Sequence, residues 1–102
     1  MELTNADRWL LVLRDGDVTF DDIKAAINQT SESKKFDYDT GKGKHAIFHR
    51  ILDDLDTLCR NGDAQRTFEK ENETEIMERF RITPQGRARA EKLLLISSGH
   101  RR

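Results

Sequence analysis

Between Thr40 and Leu52 the chain places Lys42, Lys44 and Arg50 beside His45 and His49, with no acidic residue among them. The spacing predicts a helix that begins at Lys44, so this run is the approach to a helix start. Backbone amides at such a start point outward without partners, and positive side chains around them make a place for a phosphate. Thr40, Lys44, His45 and His49 are short or flexible enough to reach base edges as well. Past Leu52 the sign reverses at Asp53, Asp54 and Asp56, so only the first half of this helix is suited to lie against a nucleic acid. The bland alternative is a solvated outward face, which most amphipathic helices have.

A second basic strip, Arg79 and Arg81 on the outward side of a strand, is compatible with contact to a phosphate backbone, and Arg87 and Arg89 extend it. Next to it the stretch 69–78 sets Glu69, Glu71, Glu73, Glu75 and Glu78 against Lys70 alone, five negative charges and one positive. Phosphates repel such a tip. The strip therefore has two readings, DNA contact or ion pairing with the glutamates, and the acidic tip suits a basic protein partner.

Other constellations are weaker. His45, His49 and Asp53 share a helix face at i, i+4 and i+8, a spacing that can ligate a metal only with a further ligand from elsewhere. The "GKGK" run at 41–44 lacks the Ser/Thr and the spacing of a Walker loop. Ser31, Ser33, Ser97 and Ser98 have no evident base, and no paired carboxylates stand in a reaction context. No catalytic residue, metal or cofactor is expected, and the chain is not read as an enzyme.

The elements that position these residues follow from local signals. Thr4 and Asp7 have capping-box spacing ahead of Trp9, Leu10, Val12 and Leu13, with Gly16 as a stop, which predicts a helix over 4–15. Thr19 with Asp22 starts a second helix ending near Gln29, with Val18 and Ile23 placed to staple its entry. Residues 30–43 have no period and read as a long loop that Phe36 and Tyr38 anchor to the body. A third helix runs from Lys44 to Arg60, with Ile47, Ile51, Leu55 and Leu58 on its inner face, and Asn61-Gly62 ends it. Period-two stretches at 64–69 and 76–82 predict a hairpin with Asn72 near its tip. Thr83-Pro84 then stops the strand and starts the last helix, because proline at the first helical position gives up an N–H that has no partner there.

This order, mainly α with a small β-hairpin and running α-α-α-β-β-α, resembles a winged helix-turn-helix domain across nearly the whole chain. The segments "HAIFHRILDDLDTLCRNGDAQR" and "FRITPQGRARAE" carry the resemblance: a long helix, a turn, a first wing strand, and a second strand leading through Thr-x-x-Gly-Arg into the terminal helix. The pattern is similar to small transcription regulators and to the N-terminal domain of Mrr-type restriction endonucleases. The resemblance implies that the third helix enters the major groove and meets base edges with its N-terminal residues. The connection between the second and third helices is longer than the tight turn usual in that fold.

A length of 102 residues fits one domain, here 1–102 with a flexible basic tail at 97–102. Charged residues form 36% and the net charge is -1, so any attraction to DNA must be local. Cys59 is the only cysteine, and no apolar run nears the ~20 residues that span a bilayer. These features predict a soluble cytoplasmic protein with no membrane contact. Leu93 to Ile96 are four apolar residues in succession, more than one helix face requires. Leu94, Leu95 and Ile96, joined by Trp9 and Leu10, are therefore expected at a homodimer interface. Two functions follow: a winged-helix DNA-binding protein, a small transcription regulator reading double-stranded DNA, or an interaction module that holds a protein through its acidic wing and apolar last helix.

Overall fold

The computed structural model describes residues 3–28, 36, 38, 40–70 and 72–99. Among these the elements follow in the order α1 (Asn5–Asp15), β1 (Val18–Thr19), α2 (Phe20–Ile27), a 3-10 turn (Thr40–Lys42), α3 (Lys44–Arg60), β2 (Ala64–Lys70), β3 (Ile76–Ile82) and α4 (Pro84–Gly99). No described helix is long and apolar enough to cross a membrane.

Helix starts lie where capping chemistry predicts them. Asp7 donates its N–H to Thr4 Oγ1 at 3.1 Å, and Thr4 returns its own N–H to Asp7 Oδ2 at 3.2 Å. Thr19 donates its N–H and hydroxyl to Asp22 Oδ2 at 2.8 and 3.2 Å. These bonds occupy amides that a helix's first turn otherwise leaves without partners. Helix α2 closes at Ile27, short of Gln29, which lies outside the described residues.

The expected order α-α-α-β-β-α is incomplete. Val18–Thr19 forms a third strand between the first two helices, pairing antiparallel with β3 through Val18↔Phe80 and Thr19↔Arg79. The sheet therefore runs β1-β3-β2, and the molecule mixes four helices with a three-stranded antiparallel sheet among its described residues rather than adding a lone hairpin to an α domain. Two residues are too few to show a period, and their signals as cap and staple are also real: Val18 and Ile23 are both buried. The hairpin keeps one register from Ala64↔Ile82 to Lys70↔Ile76. At its tip Asn72 Oδ1 accepts the N–H groups of Thr74 and Glu75, each at 2.9 Å, an Asx-type turn.

The core lies where α1, α3 and α4 meet the inner face of the sheet. Leu10, Ile51 and Leu55 are 0% exposed, and removing each from water contributes about 1.5–3 kcal/mol. Trp9 stacks on Phe36 with ring centroids 4.3 Å apart and donates its indole N–H to Tyr38 Oη at 2.9 Å. Tyr38 in turn donates to Asp54 Oδ2 at 2.5 Å. The two aromatic residues do anchor the 30–43 connection, as expected, whereas residues 30–35, 37 and 39 lie outside the described set. The same contacts correct the expected interface: Trp9 is 1% and Leu10 0% exposed within a single chain, so neither offers surface to a partner.

Helix α4 is fastened by its first turn. Thr83 Oγ1 donates to the Gly62 carbonyl at 2.6 Å and accepts the Gly86 N–H at 3.0 Å, while Thr83 N–H donates to the Asp63 carbonyl at 3.1 Å. A Cβ on Gly86 would overlap the Asp63 carbonyl oxygen and stand 2.8 Å from its carbonyl carbon, so only glycine allows this approach. One turn further on, Arg89 holds two buried carboxylates together, donating to Asp63 Oδ2 at 2.7 Å and to Asp7 Oδ1 at 2.8 Å. The junction thus ties α1, the α3–β2 turn and α4 to one guanidinium.

Candidate nucleic-acid interface

Helix α3 begins in a way that leaves its positive end open. Its N-cap is Gly43 at φ +90°, which provides no side-chain acceptor, and its first turn contains no acidic residue. Lys42, Lys44, His45, His49 and Arg50 are all exposed around this start. Among the described residues none of Lys42, Lys44 and Arg50 forms an ion pair. His45 and His49 meet at 3.0 Å between their Nε2 atoms, with rings edge to face. Thr40 sits in the 3-10 turn that leads in; its side chain lies outside what the structure describes. The predicted basic residues are therefore on one end of one helix and face solvent. Among the described residues no three His, Cys, Asp or Glu side chains converge as a metal site would need.

The acidic half of the same helix is quieter than its sequence suggests. Asp54 accepts the Tyr38 hydroxyl, and Asp56 pairs with Arg60 at 3.2 Å, which leaves Asp53 as the exposed, unpaired carboxylate of the three among the described residues. Burial raises the Asp54 carboxyl above its ordinary range; the Tyr38 hydrogen bond pulls the other way and the charge of Asp53 adds to the rise. Tyr38 is likewise pushed well above an ordinary phenol, first by burial and then by the proton it donates to Asp54. Burial also raises the Cys59 thiol, while the charge of Arg66 acts the other way.

Arg79 and Arg81 are placed differently from the helix cations. Asp17, in the turn before β1, lies 3.6 Å from Arg79 and 3.2 Å from Arg81, and Glu69 on β2 lies 3.8 Å from both. Two arginines and two carboxylates thus form a neutral surface network beside the hairpin. Exposed pairs of this kind are worth little to stability, but a phosphate would have to compete with both acids. Arg89 is the bridge between Asp63 and Asp7, and a ligand would have to compete with both carboxylates. The pairing of the last strand's arginines with Asp17 was beyond local sequence signals, because β1 brings Asp17 to the sheet.

The structure also shows a cleft that periodicity gave no reason to expect. It has a volume of about 650 Å³ and lies between the start of α2, the outer flank of α3 and strand β3. Phe20, Phe48, Leu52, Ile76 and Met77 supply its apolar walls, and Asp21, Glu75 and Glu78 its rim. Phe20 meets Phe48 edge to face at 6.1 Å yet is 53% exposed, and Ile76 is 71% exposed. By strand alternation Ile76 shares a side of β3 with the buried Phe80, but the hairpin has run past the body that would cover it.

A scan of protein-family models, a search of curated proteins and a search of solved structures each found no match to this chain.

Proposed function

We propose that this chain is a winged-helix DNA-binding protein, a small transcription regulator that reads duplex DNA with the N-terminal half of α3. One observation carries the proposal: Lys42 and Lys44 flank a helix start with no side-chain cap, Arg50 follows further along the same helix, where its charge also acts on Asp54, and all three are exposed with no ion pair among the described residues. The order of three helices, hairpin and final helix supports it, with β1 inserted between the first two. Arg79 and Arg81 contribute only if DNA displaces Asp17 and Glu69, so the helix provides most of the attraction. The acidic hairpin stays clear of the duplex.

Three phosphate contacts give a salt dependence of log K against log salt of about -3 for one head. Lys44→Glu and Arg50→Glu each lower that slope by roughly one unit and weaken binding across all sequences. A fluorescence-anisotropy titration of a labelled duplex at several ionic strengths measures both. Variants that bind DNA as tightly as the native chain would remove the named surface from consideration.

A second reading is an interaction module on the same scaffold. The local excess of glutamate in 69–78, with Phe68 63% exposed on the same hairpin, favours it. A partner recovered by pull-down and lost when Glu73 and Glu75 are changed to Gln, in a chain that binds no DNA, selects this reading over the first.

A further inference from the structure

Among the described residues two apolar surfaces lack a cover, and their shapes and charges are opposite. One is the cleft between α2, α3 and β3, where Phe20 and Ile76 stand exposed above Phe48 and Met77. Its rim carries an acidic excess: Asp21 and Glu75 have no ion-pair partner among the described residues, Glu78 is shared with Arg66 at 3.6 Å, and one cation, Lys24, stands over the Phe20 ring at 5.5 Å. The other is the end of α4, a convex ridge on which Leu95 is 71% and Ile96 42% exposed. The charges next to that ridge are positive. Glu91 is taken up by Arg14, and Lys92 is exposed and unpaired among the described residues.

We propose that the α4 end of one copy docks in the cleft of a second copy, with Leu95 and Ile96 seated against Phe20 and Ile76 and with Lys92 beside the acidic rim. A cleft of ~300–1,000 Å³ takes a few side chains of this size. An apolar helix face laid in an apolar groove is a recurrent mode of recognition, and opposite charge at the rim sets its orientation and speed of encounter. The contact joins two different surfaces, so two copies can close on each other through two such contacts or continue head to tail. It differs from a symmetric α4-on-α4 pair; it uses Phe48 and Leu52 of α3, whereas Lys42, Lys44 and Arg50 do not line the cleft.

Sedimentation equilibrium of the full chain without DNA tests this. The native protein is expected to show a mass above that of the monomer that falls with dilution and with added salt. Ile76→Lys damages only the cleft and Leu95→Lys only the ridge; both positions are exposed, so each variant keeps its circular dichroism spectrum while its dissociation constant rises at least ~10-fold. An equimolar mixture of the two variants still contains one intact ridge and one intact cleft, and it pairs again. Lys44→Glu leaves the association unchanged, which separates this contact from DNA binding. A monomeric native chain, or an Ile76→Lys variant that associates like the native one, overturns the proposal, the second result pointing to α4 on α4. Failure of the mixture to pair when each variant alone is monomeric overturns it too.

Discussion

Alanine at position 86 places one methyl group where the Asp63 carbonyl already sits. The new Cβ would overlap the carbonyl oxygen and lie 2.8 Å from the carbonyl carbon and 3.0 Å from Cα, all backbone atoms that no rotamer change can move aside. In an open helix interior this substitution is favourable by about 1 kcal/mol, because alanine is the better helix former. Here α4 must back away from the α3–β2 turn. Overpacking costs ~1–3 kcal/mol. The retreat also weakens the bond from Thr83 N–H to the Asp63 carbonyl and the grip of Arg89 and Gln85 on the Asp63 carboxylate, at about 1 kcal/mol for each bond lost. The net is a destabilisation of roughly 2–4 kcal/mol, or about 10–20 °C in Tm for a domain of this size. Urea unfolding followed by the fluorescence of Trp9, the only tryptophan and 1% exposed, reads the change directly. Gly16→Ala is the control. It has no atom within 4 Å of its new Cβ and an extended backbone, so it should be neutral or slightly stabilising. If Gly86→Ala unfolded at the same urea concentration as Gly16→Ala, the argument that close approach demands glycine at 86 would be wrong.

Arg89→Met leaves the buried Asp63 and Asp7 carboxylates without their shared cation and should cost about 3 kcal/mol in the same urea assay, whereas Arg89→Lys recovers only part of that loss because one ammonium cannot span both. Tyr38 is the sole tyrosine, and its folded pKa lies above that of an ordinary phenol. Its unfolded pKa is about 10, so the folded state keeps the proton longer and stability falls as pH rises past that point. Tyrosinate absorbance should therefore appear together with the loss of helical circular dichroism; tyrosinate forming near the ordinary value in an intact fold would contradict the Trp9–Tyr38–Asp54 chain. Asp54 is also raised, so in the native chain its contribution is greatest at acid pH and declines as pH climbs above the model-peptide range near 3.9. The stability of Asp54→Asn relative to the native chain should then improve as pH rises above about 4, measured by urea midpoints across a pH series.

Much of the scaffold was legible because its signals are short. Thr4 with Asp7, and Thr19 with Asp22, satisfy amides three residues away; Asn72 folds its own turn; Thr83-Pro84 ends a strand and opens a helix within two residues. The periodicity of Ile47, Ile51, Leu55 and Leu58 defined both the extent of α3 and its inner face. From that the outward position of Lys44, His45, His49 and Arg50 follows, since residues off the apolar stripe of a helix must point elsewhere. Strand β1 was not legible, because a two-residue strand exists only through the partner that pairs with it.

What sequence alone decided, then, is where each element begins, which face it buries, and which charges lie near one another along the chain. Which charges are free is a different matter. Arg81 meets Asp17 across 64 positions and Arg89 meets Asp7 across 82, and Trp9 turns inward onto a tyrosine 29 residues away. Capping and periodicity act over about four residues, whereas the pairing of a charge or the covering of an apolar side chain depends on what the folded chain brings beside it. The cleft with its acidic rim, and the exposed ridge at the end of α4, belong to that second kind.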